Sequence, residues 1–408
     1  MGTPIYLDNH ATTPMDPRVL EAMLPYFKEH FGNAASRDHD FGLRARQGVD
    51  EARALIAALI GASPREIVFT SGATESDNLA LKGVVEAAKN GPGHIITVVT
   101  EHKAVLDTAK YLETRGTRVT WLPVDGEGLV TAAQVEAALT PETLLVSVML
   151  GNNEIGVLQP IREIGALCRS RGILFHTDAT QGVGKVPVDV NDLNVDLMSL
   201  SAHKMYGPKG VGALFVRQTT PRLRLAAQLH GGGHEWNLRS GTLNVPGIVG
   251  FGAAARICRE ELPAEAKRLA ALRDRLYHGV VSQLREVHLN GHPTKRLPGN
   301  LNLSFAGVEG EAMMLSMPDL AVSSGSACSS ANLRPSYVLE ALGKRKDLIH
   351  TSIRFGLGRF TTEAEIELAI TQVVDAATKL RKLSPLWELL EKGVDVNALN
   401  WGPEHDHH

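Results

Sequence analysis

The sequence predicts an α/β protein: a large domain on a mostly parallel seven-stranded sheet between helices, with a smaller α+β domain beside it. Three observations carry this. From about residue 15 to 260, short apolar runs alternate with amphipathic helical patterns, as βαβ units require. The apolar runs are near-continuous in Val, Ile and Leu, which fits strands buried on both faces. Past about residue 260 the texture changes to short strands separated by a few helices. A chain of 408 residues is long enough for both parts.

Seven runs read as the strands of the large sheet: EIVFT (66–70), HIITVVT (94–100), TRVTWL (117–122), LLVSVML (144–150), ILFHTD (173–178), DLMSLS (196–201) and VGALFV (211–216). Segments such as DNLALKGVVEAAKN and PIREIGALCRSRG supply helices between the earlier ones. A long helical stretch covers roughly 246–286, with Pro263 as its expected break. VHLN, NLNLSFA, LAVSSGSA and SIRFGLG then read as short strands. SSANLRPSYVLEALG reads as a helix, and TTEAEIELAITQVVDAATKLRKL as a long helix opened by a Thr cap. The expected division is 15–260 for the large domain, 1–14 with 261–395 for the small one, and 396–408 as a flexible tail.

Composition excludes several function classes. Lys and Arg number 42 against 45 Asp and Glu, a formal charge of −3, so no broad field favours direct nucleic-acid or membrane binding. No apolar run approaches a membrane span, and MGTPIYLDNHATT lacks the regions of a signal peptide. Three widely spaced cysteines argue against a disulfide framework and for a reducing, cytoplasmic setting. Cys168 and Cys258 sit in helical patterns and read as core fillers. Cys328, in SSGSACSSANLRPS, has only small neighbours and reads as a presented thiol. The terminal GPEHDHH carries no expected metal site.

Chemistry-bearing residues gather where the strands end, which is where open α/β sheets bind ligands. SGATES follows EIVFT and opens a helix, so Ala73 and Thr74 are candidates for holding a phosphate; on its own the motif is an ordinary strand-to-helix turn. Asp178 and Gln181 follow ILFHTD, where an acid could pair with a cationic ring nitrogen, bind a metal or cap the next element. Ser201, His203 and Lys204 share the loop after DLMSLS. A lysine just past a buried strand can lose solvation and become a nucleophile toward carbonyls. Phosphate cradle, acid and lysine together are the parts a protein supplies to pyridoxal phosphate. HGGGH (230–234) has no accompanying nucleophile elbow and reads as a tight loop. Arg354 and Arg359 are fork-shaped candidates for a substrate carboxylate.

The chain resembles the cysteine desulfurases, pyridoxal-phosphate enzymes of the class V aminotransferase group with fold type I architecture. The resemblance runs nearly end to end, through YLDNHATTPMDPRV, FGNAASRDHDFG, FTSGATESDNLALKG, TEHKAVLDT, NNEIG, DATQGVGK, SAHKMYGPKGVGAL, HGGGHE, RSGTLNVPGIVG, SSGSACSSA and SIRFGLGRFTTEAEI. It implies that Lys204 bonds the cofactor's aldehyde, Asp178 pairs with its ring nitrogen, Gln181 contacts its ring oxygen and His102 stacks on the ring. Ala73, Thr74, Ser201 and His203 would hold its phosphate. Thr242 would reach the phosphate of a partner subunit in an obligate homodimer. Asn153 and Arg354 would take the carboxylate of L-cysteine, His102 would shuttle a proton at its thiol, and Cys328 would accept the sulfur.

The Ser/Gly/Ala run around Cys328 resembles the long-loop branch of that family, which supplies iron–sulfur scaffold proteins, and LSPLWELLEKGVDVNALNW resembles the tail that docks such a scaffold. The resemblance allows Cys328 to share an iron–sulfur cluster transiently with a scaffold; other sulfur acceptors, tRNA thiolation among them, stay open. No metal site of the chain's own is expected. Trp236, Asn237, Ala34 and Arg334 depart from the family's common residues, which leaves partner surfaces open. Rival readings are selenocysteine lyase, a plain aminotransferase, which would not need Cys328, and a scaffold that lost its chemistry.

Overall fold

A computed structural model describes residues 4–88, 91, 93–220, 223–324 and 335–394. The expectations for Cys328, Arg334 and the tail 396–408 therefore fall outside the described residues. In chain order the strands are β1 (Ile5–Tyr6), β2 (Ile67–Thr70), β3 (His94–Val98), β4 (Arg118–Leu122), β5 (Thr143–Ser147), β6 (Leu174–Asp178), β7 (Leu197–Ser201), β8 (Gly212–Val216), β9 (Val287–Leu289), β10 (Asn300–Phe305), β11 (Leu320–Ala321), β12 (Ser323–Ser324) and β13 (Ser352–Gly356).

Strands β2 to β8 form one seven-stranded sheet in the order β2-β8-β7-β6-β5-β3-β4. All seven runs read from the sequence are in it. Neighbours pair in parallel except β8, which runs antiparallel to both β2 and β7. The physical reason is the short connection between β7 and β8, which leaves no room for a helical crossover. Every residue of β2, β3, β7 and β8 is buried, as a sheet covered on both faces demands.

The helices are α1 (Pro17–Met23), α2 (Pro25–Lys28), α3 (Asp40–Leu59), α4 (Ala73–Ala87), α5 (Lys103–Thr114), α6 (Ala132–Ala138), α7 (Ile161–Arg171), α8 (Val245–Val281), α9 (Gly310–Leu315), α10 (Tyr337–Ala341), α11 (Lys346–Ile349), α12 (Glu363–Arg381) and α13 (Pro385–Glu391). One face of the sheet packs Ile67, Phe69, Phe175 and Phe215 against Val49 and Ile56 of α3, Ile164 of α7 and Phe251 of α8. The other packs Val68, Ile95, Leu145 and Leu214 against Leu79 and Val84 of α4 and Val105 and Leu112 of α5.

A second set of strands, ordered β12-β13-β10-β9 and antiparallel throughout, forms the small sheet. Its core joins Leu301, Leu303, Ile353 and Phe355 to Leu272 and Leu276 of α8 and Ile366 and Val373 of α12. Leu7 packs there too, beside the parallel pair β1 and β11. The Thr cap of α12 is Thr362, in a reciprocal capping box with Glu365.

Pro263 does not break the long helix: α8 runs through it without interruption. A proline costs the helix one backbone bond and some strain. Here both halves are fixed by packing, Phe251, Ala255 and Cys258 in the large core and Leu269, Leu272 and Leu276 in the small one.

Candidate active site

The carboxyl ends of β6 and β7 set the site. Asp178 is the last residue of β6 and Ser201 the last of β7, so the chain must turn over the sheet edge at both. Those turns deliver Thr180, Gln181, His203 and Lys204 to a cavity of about 560 Å³. Its wall includes ten of the expected residues: Ala73, Thr74, His102, Asn153, Asp178, Gln181, Ser201, His203, Lys204 and Arg354. Thr242 is exposed and does not line it, and Cys328 lies outside the described residues.

One end of the cavity is the N-terminus of α4. Gly72 caps this helix without a side chain, so the first-turn amides, beginning at Ala73 and Thr74, face the opening. The turn can sit this low because Gly212 lies against it: a Cβ on Gly212 would stand 2.7 Å from Gly72 Cα. The Glu75 carboxylate also faces this end, and Arg239 Nε neutralises it at 2.8 Å. His203 holds Thr12 Oγ1 through Nδ1 at 3.1 Å. Burial, reinforced by Lys204, Lys209 and Lys185, pushes its pKa down to about 4, so the ring is neutral.

Lys204 stands at the centre. Its Nζ donates to the carbonyls of His10 and Ala11, both at 2.7 Å. The segment His10–Thr12 thus forms a lip over the lysine, a contribution for which the only signal in the sequence was the motif YLDNHATT. Gln181 fastens that lip from below. Its Nε2 donates to the His10 carbonyl at 2.9 Å, and its Oε1 accepts from Lys185 Nζ at 2.8 Å. Those partners fix the amide's orientation, so His10 Nδ1, 3.0 Å from the same Oε1, must carry the proton. Asp178 Oδ1 accepts from the Thr180 amide at 2.9 Å, and Thr180 Oγ1 is buried without a partner.

His102 is the N-cap of α5 and accepts the Ala104 amide through Nδ1 at 3.1 Å, which places the neutral ring's proton on Nε2. At the far end, Arg354 reaches in from β13. Its Nη1 donates to the Asn153 carbonyl at 3.0 Å and its Nη2 pairs with Asp8 at 2.8 Å. Arg354 Nε and Asn153 Oδ1 are both buried without a partner, a donor and an acceptor awaiting a ligand. Arg359, the other arginine singled out from the sequence, does not reach the cavity. It pairs with Asp16 at 2.9 Å and Glu265 at 2.8 Å and covers the Tyr206 ring at 4.2 Å. It ties the loop after β13 to α8 and the N-terminal segment.

A helix N-terminus for an anion, a buried carboxylate for a cationic ring nitrogen and a lysine amine for an aldehyde fit one group. The fold and this cavity define a pyridoxal 5′-phosphate-dependent enzyme of the α/β class. Comparison with known proteins makes this specific. A family profile described as "Aminotransferase class-V" matches residues 5–368, and the chain belongs to that family. It is 58% identical to "Cysteine desulfurase IscS" of Anaeromyxobacter sp. (strain Fw109-5), over 99% of this chain and all of that one. Among solved structures, a "NifS-like protein" superposes with a TM-score of 0.86 at 38% identity, covering 92% of this chain and all of its own. "SspA in complex with cysteine" does so with a TM-score of 0.78 at 38% identity, over 88% of this chain and 99% of its own.

Proposed function

We propose that the protein is a cysteine desulfurase: it converts L-cysteine to L-alanine and keeps the sulfur as a persulfide on Cys328. The observation that carries this is the single cavity in which Lys204, Asp178 and His102 meet the unpartnered Arg354 Nε and Asn153 Oδ1. Relatives named for that activity, 55% and 58% identical over 98% and 99% of this chain, support it. When bound, the cofactor supplies an electron sink at the substrate α-carbon. Asp178 holds its ring nitrogen, Gln181 its ring oxygen, and Ala73, Thr74, Ser201 and His203 its phosphate. Arg354 and the side-chain N–H group of Asn153 would orient the substrate carboxylate. The Lys204 amine takes the α-proton as general base, and His102 handles the proton of the substrate thiol. The Cys328 thiolate then attacks the substrate sulfur. The carbon–sulfur bond breaks as the sulfur–sulfur bond forms, the electron pair stays on carbon, and protonation there yields alanine. No outside oxidant or reductant is needed.

The tether suits this role. Ser323 of β12 lies in register with Arg354, and Cys328 follows Ser324 by four residues, a reach of at most about 14 Å plus the side chain. The homodimer belongs to the same reading: Thr242, exposed on this chain, would serve the partner's phosphate site. So do an iron–sulfur scaffold as sulfur acceptor, approached through the Cys328 segment and the C-terminal tail, and a cytoplasmic location, which the unpaired thiols of Cys168 and Cys258 support. The division into 15–260 and 1–14 with 261–395 is likewise proposed, supported by the separate core that takes in Leu7.

Alanine release from L-cysteine with a thiol reductant tests the reading. Wild type should turn over, Lys204→Ala should not, and Cys328→Ser should stay yellow and loaded with cofactor while releasing none. Equal release by wild type and Cys328→Ser would remove Cys328 from the reaction.

A further inference from the structure

The motif DATQGVGK ends on a second lysine that the proposed chemistry leaves unused. Lys185 follows Gln181 by four residues, in a turn closed by the Lys185 and Val186 amides, which both donate to the Gly182 carbonyl at 3.0 Å. Gly184 permits this turn: its φ is 78°, and a Cβ there would stand 3.0 Å from Cys258 Sγ of α8. The chain folds back so that Lys185 Nζ donates to Gln181 Oε1 at 2.8 Å. Gln181 Nε2 and Lys204 Nζ in turn share one acceptor, the His10 carbonyl, at 2.9 and 2.7 Å. A single amide and a single carbonyl oxygen therefore link the two lysines.

A partly buried lysine kept for structure alone is normally given a carboxylate, and this one is not. Among the described residues Lys185 has no ion pair; its partner is the neutral Gln181 amide. Glu265 of α8, the acid whose charge it feels, is already paired with Arg359 at 2.8 Å. The other groups within its field are the cations Lys204 and Arg354 and the Cys258 thiol, whose pKa burial pushes up to about 11. The imidazoles of His10 and His203 are there too, both held neutral by burial. Burial, reinforced by Lys204, pushes the Lys185 pKa down to about 7. Repulsion is mutual, so the Lys185 charge also weighs against a proton on the Lys204 nitrogen.

We propose that Lys185, held on Gln181, is a positioning residue that keeps the Lys204 nitrogen ready to lose its proton when the cofactor is bound. This rests on the cavity being the cofactor's site and not on which substrate enters it. Two effects act in the same direction. The Lys185 ammonium repels a proton on that nitrogen. It also polarises the Gln181 amide, whose Oε1 accepts both from Lys185 and from His10 Nδ1 at 3.0 Å, and so makes Nε2 a stronger donor. Nε2 carries a second hydrogen besides the one given to the His10 carbonyl. Donated to the cofactor's ring oxygen, it stabilises the negative charge that grows there as the neighbouring nitrogen is deprotonated. A Lys204 amine free of its proton is what removal of the α-proton requires.

The nitrogen through which Lys204 holds the cofactor gains or loses a proton with pH, and the cofactor's absorbance follows it. The test is that titration on the full-length, cofactor-loaded protein with no substrate present. Lys185→Met should raise the midpoint by about one pH unit, a roughly tenfold gain in proton affinity. Lys185→Arg keeps both charge and donor, and its midpoint should lie nearer wild type than that of Lys185→Met. With Gln181→Leu the relay is gone, and removing Lys185 as well should add less than it does alone. If Lys185→Met loses its cofactor, Lys185→Gln, a donor without the charge, is titrated instead and should shift in the same direction. An unchanged or lowered midpoint in a variant holding its full complement of cofactor overturns the proposal and leaves Lys185 a filler of the turn. So does a Lys185→Arg protein that titrates like Lys185→Met. A wild type that takes up no cofactor overturns the assignment of the cavity itself, a result read without any variant.

Discussion

A carboxyl buried with one or both oxygens unpartnered favours its neutral form, and two such groups adjoin Asp178. Asp77 of α4 is fully buried, neither of its oxygens has a partner, and His176 Nε2 stands 3.6 Å from one of them. Glu101 accepts the Met149 amide at 2.6 Å through Oε1, and its Oε2 has no partner. Burial and the neighbouring Asp178 raise the pKa of Asp77 well above the carboxylate range; burial first, then Asp178, does the same for Glu101. Burial therefore favours the neutral form of both acids. The native protein therefore holds two protons that the unfolded chain releases above about pH 4, and stability falls as pH rises from there toward the native pKa values. Asp77→Asn should halve that slope, each acid contributing about 1.4 kcal/mol per pH unit at full effect. Urea unfolding of the cofactor-free protein at pH 5 and pH 8 measures it; an unchanged difference between the two pH values would mean Asp77 is ionised. None of this was legible in the sequence. Lys204 and Asp178 announced themselves by residue type at a strand end, whereas the charge state of Asp77 is decided by what surrounds it.

Among the elements, the loop after HGGGH shows what a motif leaves unsaid. The tight-loop reading holds, but the turn that follows is its costly part: Glu235, Trp236 and Asn237 have φ of 47°, 56° and 66°, a left-handed run that side chains disfavour. Tertiary contacts hold it. Glu235 is buried and takes Arg53 in a two-pronged pair at 2.7 and 2.8 Å, together with the Phe69 amide at 2.8 Å. The Arg53 guanidinium lies 4.5 Å from the Phe69 ring centre and 4.8 Å from that of Trp236. The departure at Trp236 thus has a structural account: it closes a stack over Arg53. Glu235→Ala leaves that cation buried and unpaired, and should cost about 3–5 kcal/mol in urea unfolding. A loss below about 1 kcal/mol would show that the turn carries its own strain. The continuity of α8 through Pro263 follows the same logic, since packing on both sides outweighs a local preference.

For the whole molecule, the exposed apolar side chains are concentrated in α1 to α3: Leu20, Leu24, Phe27, Phe31, Phe41 and Leu43 are each close to half or more exposed. In the proposed homodimer they supply the buried face. Phe31→Glu should yield a monomer in sedimentation velocity and weaken cofactor retention, because each site would lose its neighbour's Thr242; a dimer with undiminished cofactor content would place the interface elsewhere. What the sequence determined by itself is the architecture and the residues that line the heart of the cavity. The seven strands were legible because a two-faced buried strand must be apolar throughout, and Lys204, Asp178 and the Ala73 turn because ligands gather at strand ends. Only the tertiary structure decided which arginine enters the cavity. Arg354 and Arg359 are five residues apart and chemically alike, yet β13 aims one at Asn153 and Asp8 while Asp16 and Glu265 claim the other. It also decided that His10 roofs the lysine and that Glu154 meets Ser336. Those contacts join residues more than 180 apart in the chain, and local pattern holds no record of them because they form only once the two cores have packed.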